Sequence, residues 1–210
     1  MVWNPTAAAY NQRIMKLPEI IGIAGTNGAG KDTLADLRYE RQGIKKASLS
    51  DILRTEADKR GLSHDRKNLS EISTEWGRAL GAAALSTMTI RAYRERQAAG
   101  ETPAGISIVS IRRPAEAAYI QEEKGAVLWV DAPRELRYER IAGANRGRVD
   151  DVVTYEQFSE QEDAEMHPAD TEDPFVLHMA RVREIADIHL QNAYATEAEY
   201  KSFLTDKFDL

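Results

Sequence analysis

A glycine-rich stretch, GTNGAGKDT at residues 25–33, constrains the fold of this 210-residue chain more than any other feature. The apolar run EIIGIA at residues 19–24 precedes it and predicts a buried parallel strand, because such a strand is covered on both faces. A helical pattern follows from Gly30 to Arg41 and stops at Gly43. A strand, a glycine-rich turn and a helix in this order predict an α/β protein that binds an anion at the turn.

The spacing within this glycine-rich loop (residues 25–33) indicates which anion it suits. Gly25, Gly30 and Lys31 match the frame G-x-x-x-x-G-K, in which backbone N–H groups surround phosphate oxygens without hindrance from a Cβ atom. The helix N-terminus adds partial positive charge, and Lys31 can reach the β- and γ-phosphates of a nucleoside triphosphate. We therefore predict that ATP binds here; the alternative is a turn that binds nothing. The predicted ATP-binding residues of the loop are Gly25, Thr26, Asn27, Gly28, Ala29, Gly30, Lys31, Asp32 and Thr33.

A carboxylate follows the lysine, at a position where such loops usually carry a hydroxyl that binds Mg²⁺. Asp32 can bind Mg²⁺ directly or through a water molecule, so we predict it as the metal ligand. Its negative charge also suits the first turn of a helix. The alternative is that Asp32 only stabilises that turn, while Thr33 supplies the hydroxyl.

Strands and helices alternate along the rest of the chain. This order predicts a mostly parallel five-stranded sheet with helices on both faces, which makes a three-layer α/β fold. We also predict helix starts at Ser50 or Asp51 and at Asn68, where polar side chains resemble N-caps. The remaining strands are predicted at residues 45–49, 106–111, 126–130 and 186–190.

Composition narrows the possible partners. The net charge of −6 argues against a protein that coats nucleic acid. The absence of cysteine excludes disulfides and thiolate-bound zinc, and it fits a cytoplasmic location. No apolar run approaches membrane-spanning length, so we expect no membrane partner. The sequence leaves the oligomeric state open.

Three further segments resemble parts of nucleoside monophosphate kinases. The segment ASLSDILR (47–54) is similar to the stretch that follows the second strand of adenylate kinases. ISIVSIRRPAE (106–116) resembles the third strand and its loop in deoxynucleoside monophosphate kinases and archaeal nucleotide-kinase-like proteins. RELRYERIAGANRGRVDD (134–151) resembles the lid of these kinases. The resemblance implies a P-loop NTP hydrolase fold with an arm at 1–18 and a kinase domain at 19–210. It places a helical acceptor-binding region near 50–100 and a lid near 140–170.

The resemblance also implies roles for individual residues. Guanidinium groups match phosphate geometry, so arginines would hold the acceptor's phosphate and close over the phosphates of ATP. The implied acceptor-binding residues are Ser50, Asp51, Arg54, Arg78, Arg112 and, as second choice to Arg112, Arg113. The implied lid residues are Arg140, Arg146 and Arg148, of which Arg140 and Arg146 would bind ATP. The implied catalytic residues are Lys31, Arg112, Arg140 and Arg148.

Two segments depart from the pattern of these kinases. Relatives place an Asp at the end of the third strand to help hold Mg²⁺, but this chain has Val109 and Ser110 there. In the acidic helix predicted near 155–165, Gln161 and Ala164 occupy positions where relatives often carry arginine. Asp131 ends a strand that mimics a Walker B segment, but the proline two residues later favours a strand-end and cap role.

The sequence therefore favours transfer of the γ-phosphoryl group of Mg²⁺-ATP to a nucleoside monophosphate such as AMP or a deoxynucleotide. One alternative is a dephospho-CoA kinase-like enzyme, whose hydroxyl acceptor needs a base that Asp51 would supply. Another is a regulatory module that binds ATP and hydrolyses it weakly. The sequence leaves the acceptor and its base open.

Overall fold

The computed structural model describes residues 14–143, 154–169 and 172–210. Five strands form one parallel sheet in the order β2-β3-β1-β4-β5, which confirms the predicted three-layer α/β fold. The strands are β1 (Ile20–Gly25), β2 (Lys45–Ser48), β3 (Ile106–Ile111), β4 (Ala126–Asp131) and β5 (Ile188–Gln191).

Helices cover both faces of the sheet. They are α1 (Lys31–Gln42), α2 (Leu49–Lys59), α3 (Arg66–Leu80), α4 (Ala84–Ala98), α5 (Pro114–Glu122), α6 (Arg134–Gly143), α7 (Tyr155–Met166), α8 (Met179–Ile185) and α9 (Glu197–Phe208). Helices α1 and α9 pack on one face, whereas α2, α3, α4, α5 and α8 pack on the other. Among the residues described, no helix is long and apolar enough to cross a membrane.

Strand β1 lies at the centre of the sheet and contributes to both cores. Ile20 and Ala24 pack with the α2–α5 and α8 side, and Ile21 and Ile23 pack with the α1 and α9 side. This alternation follows from the two-residue period of a strand. Of the predicted arm, Met15 is described: its N–H donates to the carbonyl of Lys207 at 2.9 Å. Residues 1–13 lie outside the described ranges.

Two predicted helix caps are wrong. The hydroxyl of Ser48 accepts the N–H of Asp51 at 3.2 Å, so Ser48 caps α2, and the predicted cap residues lie within its first turn. In α3, the carboxylate of Asp65 accepts the N–H of Asn68 at 2.8 Å, so Asp65 is the cap. In both helices the side-chain oxygen of the cap residue accepts the N–H of the residue three positions later, which is the hydrogen bond typical of an N-cap.

A bulge interrupts β3 beside the glycine-rich loop. Ile23 pairs with Val109 and Ala24 pairs with Ile111, which leaves Ser110 as the extra residue. Ser110 has φ 68°, in the left-handed region that a side chain disfavours by roughly 1–2 kcal/mol. Bulges redirect the chain next to functional sites, and the residue after this strand is Arg112.

Replacing Ser110 with glycine is expected to raise the free energy of unfolding by about 1 kcal/mol. The change removes the Cβ strain, and the greater flexibility of glycine in the unfolded chain offsets part of the gain. Urea denaturation measures the difference. Lys124→Gly, at φ 61° outside the site, is the matched control and should stabilise similarly. A loss of stability in Ser110→Gly alone would show that its side chain makes a contact worth more than the strain.

Candidate phosphate-binding site

The glycine-rich loop lies at the carboxyl edge of the sheet, where β1 and β4 end side by side. The connection after β1 runs towards β2 at one edge of the sheet, whereas the connection after β4 runs towards β5 at the other edge. The ends of β1 and β4 therefore border the crevice in which open α/β sheets bind ligands. The hydroxyl of Thr26 donates to Oδ1 of Asp131 at 2.8 Å, and the same oxygen accepts the N–H of Ala132 at 2.8 Å. Asp131 therefore has the predicted strand-end role, and it also anchors the loop.

Close neighbours fix the shape of the loop. Gly25, Gly28 and Gly30 have φ of 139°, 78° and 87°, all in a region that favours glycine. A Cβ atom on Gly25 would lie 1.9 Å from the carbonyl oxygen of Val130. The buried side chain of Asn192 donates to the carbonyl of Ala29 at 2.9 Å and lies against Gly30. The glycines are therefore required by packing as well as by conformation.

Lys31 begins α1 and turns back over the loop. Its Nζ donates to the carbonyl of Thr26 at 2.6 Å, so the ammonium group lies at the glycine-rich loop. Burial lowers the pKa of Lys31 to about 8, and the positive charge of Arg112 acts in the same direction. The charges of Asp32 and Glu165 oppose this shift. Lys31 thus shares one electrostatic environment with Arg112.

The lowered pKa of Lys31 predicts that ATP affinity decreases in alkaline solution. A depressed lysine pKa means that the charged form is complete below about pH 7 and is lost as the pH rises through 8. If the charged form binds the triphosphate, the dissociation constant should rise about tenfold between pH 7 and pH 9. Calorimetric titration with ATP measures this. In Lys31→Arg the charge persists throughout this range, so its profile should be flat. Parallel profiles for the two proteins would rule out Lys31 as the titrating group.

Arg112 extends into the cleft beside the loop, as predicted. The cleft is lined by residues of the loop, α3, the β3–α5 turn, α7 and α8. Arg112 Nη1 donates to Oε1 of Glu165 at 2.6 Å, and Arg66 Nη1 donates to the same oxygen at 3.1 Å. The structure therefore brings Arg112 to the loop, but with a carboxylate of α7 bound to it.

A second carboxylate of α7 binds arginines of α6. Glu162 accepts from Arg137 through both oxygens, with Nη2–Oε1 at 2.8 Å, and from Arg134 Nε at 3.0 Å. Arg137 is buried and also donates to the loop carbonyl of Asn27 at 3.3 Å. Arg137, Glu162 and Glu165 are not among the site residues predicted from the sequence. The signal in the sequence for these ion pairs was the acidic helix α7, which follows the arginine-rich helix α6.

Arg140 joins the loop to the segment after β5. Its Nη2 donates to the carbonyl of Tyr194 at 2.9 Å, and its Nη1 lies 3.5 Å from the carbonyl oxygen of Gly28. This position next to the loop is compatible with the predicted contact to ATP. The other predicted lid arginines, Arg146 and Arg148, lie outside the described residues.

The side chain of Arg113 is buried and links neighbouring segments of the fold. Its side chain is 2% exposed, and its guanidinium donates to Ser73 Oγ at 2.6 Å and to the carbonyl of Phe175 at 2.8 Å. Glu116 lies 3.7 Å away and accepts the backbone N–H groups of Arg112 and Arg113. The buried guanidinium holds α3 and the segment before α8 together, so it has no surface to offer an acceptor.

The remaining predicted acceptor residues are not among those that line the cleft. Arg54 is bound to the carboxylate of Asp51 one turn earlier in α2. Arg78 is 66% exposed and lies 3.8 Å from Asp173. Ser50 is half-buried in the first turn of α2. Their binding roles stay predictions.

The residues of the site fit a magnesium ion that arrives with a triphosphate. Asp32 is 66% exposed, and its carboxylate lies 3.2 Å from Nζ of Lys46. Val109, where relatives carry an Asp, is buried in the core. Across the described ranges, no three His, Cys, Asp or Glu side chains cluster so as to hold a metal ion. Mg²⁺ commonly keeps several waters and binds substrate phosphates with one or two carboxylates, and Asp32 would exchange its ion pair with Lys46 for such a contact.

The sheet order, the helices on both faces and the glycine-rich loop after β1 together define a P-loop kinase fold. A shikimate kinase from Bacteroides thetaiotaomicron superimposes with a TM-score of 0.50 at 12% identity, covering 91% of this chain and 98% of that one. A Thermus thermophilus protein superimposes with a TM-score of 0.52 at 22% identity, covering 90% of this chain and 95% of that one. These two likenesses concern the fold alone.

The chain belongs to the UPF0200 family. It is 31% identical to a UPF0200 protein of Thermococcus gammatolerans over 147 residues, which are 68% of this chain and 74% of the relative. No protein-family model matches the chain.

Proposed function

We propose that this protein is a small-molecule kinase that transfers the γ-phosphoryl group of ATP to a nucleoside monophosphate. The observation that carries the proposal is the meeting of Lys31 and Arg112 at the glycine-rich loop. Lys31 Nζ lies 2.6 Å from the Thr26 carbonyl oxygen, and Arg112 lines the cleft together with Gly25, Thr26 and Asn27 of the loop. A donor phosphate on the loop and an acceptor phosphate on Arg112 would therefore be neighbours.

The chemistry needs little from the protein beyond positioning and charge. An oxygen of the acceptor's phosphate is already an anionic nucleophile, so no general base is required. It forms a bond to the γ-phosphorus, the bond to the β–γ bridging oxygen breaks, and ADP leaves. Lys31 and the loop amides would neutralise the donor, Arg112 would hold the acceptor, and Arg140 would contact the nucleotide beside Gly28. Asp32 would help to hold magnesium, whose charge would offset the negative charge of the triphosphate.

A panel of acceptors tests the proposal. Phosphorylation of AMP, dAMP, CMP, dGMP and dephospho-CoA is measured side by side with Mg²⁺-ATP as donor. The expected result is turnover of at least one nucleoside monophosphate. Turnover of dephospho-CoA alone would mean that the acceptor group is a hydroxyl, and Asp51 would then be the expected general base. Binding of ATP without transfer to any acceptor would contradict the kinase assignment and favour a regulatory module.

A further inference from the structure

Two arginines from distant parts of the chain converge on one oxygen atom beside the glycine-rich loop. Arg66 is the first residue of α3, and Arg112 follows β3. Both donate to Oε1 of Glu165, at 3.1 and 2.6 Å. All three side chains are partly exposed, by 31%, 35% and 22% respectively. Two guanidinium groups directed at one oxygen form the kind of arrangement that binds a phosphate group.

The carboxylate in this arrangement is held at an unfavourable place in its own helix. Glu165 lies in the last turn of α7, next to its final residue Met166, and this turn contains no basic residue. Negative charge near a helix C-terminus opposes the helix dipole. A phosphate monoester carries more charge than a carboxylate and offers three terminal oxygens to the same arginines. A phosphate monoester can therefore compete with Glu165 for the two guanidinium groups.

The rest of α7 has its own attachment. Glu162, one turn before Glu165, is held by Arg137 and Arg134 on α6. The aromatic ring of Phe158 is buried on the same helix. The last turn of α7 can therefore release its carboxylate while these contacts keep the helix in place. The apolar side chain of Met166 lines the same cleft beside the two arginines.

We propose that Arg66 and Arg112 form the anion subsite of the acceptor, and that Glu165 occupies this subsite from within the chain until a phosphate monoester displaces it. Arg66 is a binding residue that the sequence did not indicate. The proposal rests on the proposed function for the identity of the acceptor. The subsite itself binds phosphate without ATP, so it can be tested separately from phosphoryl transfer.

Calorimetric titration of AMP, adenosine and inorganic phosphate, each without ATP, tests the subsite in the full-length chain. Glu165→Gln removes the competing charge and should bind AMP and phosphate about tenfold more tightly. Arg66→Ala should bind both about tenfold more weakly. The affinity for adenosine, which has no phosphate, should be the same in all variants. Glu160→Gln, an exposed position on the same helix, is the matched control and should leave every affinity unchanged.

The double variant Arg66→Ala/Glu165→Gln tests whether the effect of Glu165→Gln on binding depends on Arg66. If Glu165 acts by occupying the subsite, most of the gain from Glu165→Gln requires Arg66 and should be lost. Thermal unfolding of each variant shows whether a loss of binding reflects a loss of fold, and Glu165→Gln does not depend on that control because a gain is expected. Unchanged AMP and phosphate affinities in Glu165→Gln would overturn the proposal. Tighter binding together with no phosphoryl transfer would retain the subsite and reject the kinase function.

Discussion

Replacing Lys31 with methionine is expected to weaken ATP binding by at least about 100-fold and to reduce any phosphoryl transfer by about 10²- to 10³-fold. Lys31 is the side chain that reaches over the glycine-rich loop, with its ammonium 2.6 Å from the Thr26 carbonyl. Methionine keeps most of the length and apolar stem of the side chain but removes the charge. ATP titration gives the binding effect, and steady-state turnover with the best acceptor of the panel gives the catalytic one.

A surface lysine provides the control for this change. Lys201 pairs with Glu40, near the C-terminal end of α1, at 3.2 Å and with Glu197 on α9 at 3.3 Å. Lys201→Met should therefore change ATP affinity less than twofold, because exposed ion pairs contribute little. Comparable ATP affinity in Lys31→Met and the wild type would mean that the triphosphate does not bind at this loop.

Replacing Gly25 with alanine is expected to lower the free energy of unfolding by about 3 kcal/mol or more and to abolish ATP binding. The Cβ atom would lie 1.9 Å from the Val130 carbonyl oxygen, and both groups belong to the backbone of adjacent central strands. Such a contact can be relieved only by moving β1 or β4. Urea denaturation followed by circular dichroism measures the loss.

Gly61→Ala separates the effect of crowding from the effect of backbone conformation. Gly61 also has positive φ, 68°, but nothing lies within 4 Å of its Cβ position. This variant should therefore lose only about 1 kcal/mol, the cost of a side chain in the left-handed region. Equal losses in the two variants would show that the approach of Gly25 to Val130 does not constrain the loop. Failure of Gly25→Ala to fold, with Gly61→Ala stable, agrees with the expected result.

The architecture could be predicted because its signals are local. Buried strands appear as short apolar runs, and the loop between β1 and α1 has a frame that only a few conformations satisfy. The helix caps were predicted less well, since several oxygen-bearing residues precede α2 and α3. Ser48 and Asp65 make the capping hydrogen bonds, whereas the sequence predicted Ser50 or Asp51 and Asn68 as the caps. Composition alone does not decide which of several neighbouring side chains makes that bond.

The composition of the cleft could be predicted only in part. Lys31 and Arg112 follow strands that end at one edge of the sheet, so their meeting could be inferred from topology. The pairing of Glu165 with Arg66 and Arg112 joins residues that are 99 and 53 positions apart. No local pattern encodes such contacts. For the same reason, two adjacent arginines gave no sign that Arg113 is buried while Arg112 faces the cleft.

A crystal structure with a non-hydrolysable ATP analogue and Mg²⁺ tests the central claim most directly. We expect the β- and γ-phosphates to lie within hydrogen-bond distance of the glycine-rich loop amides and of Lys31 Nζ, on the side of the loop that faces Arg112. Triphosphate density elsewhere on the chain, with Lys31 still bound to the Thr26 carbonyl, would contradict it.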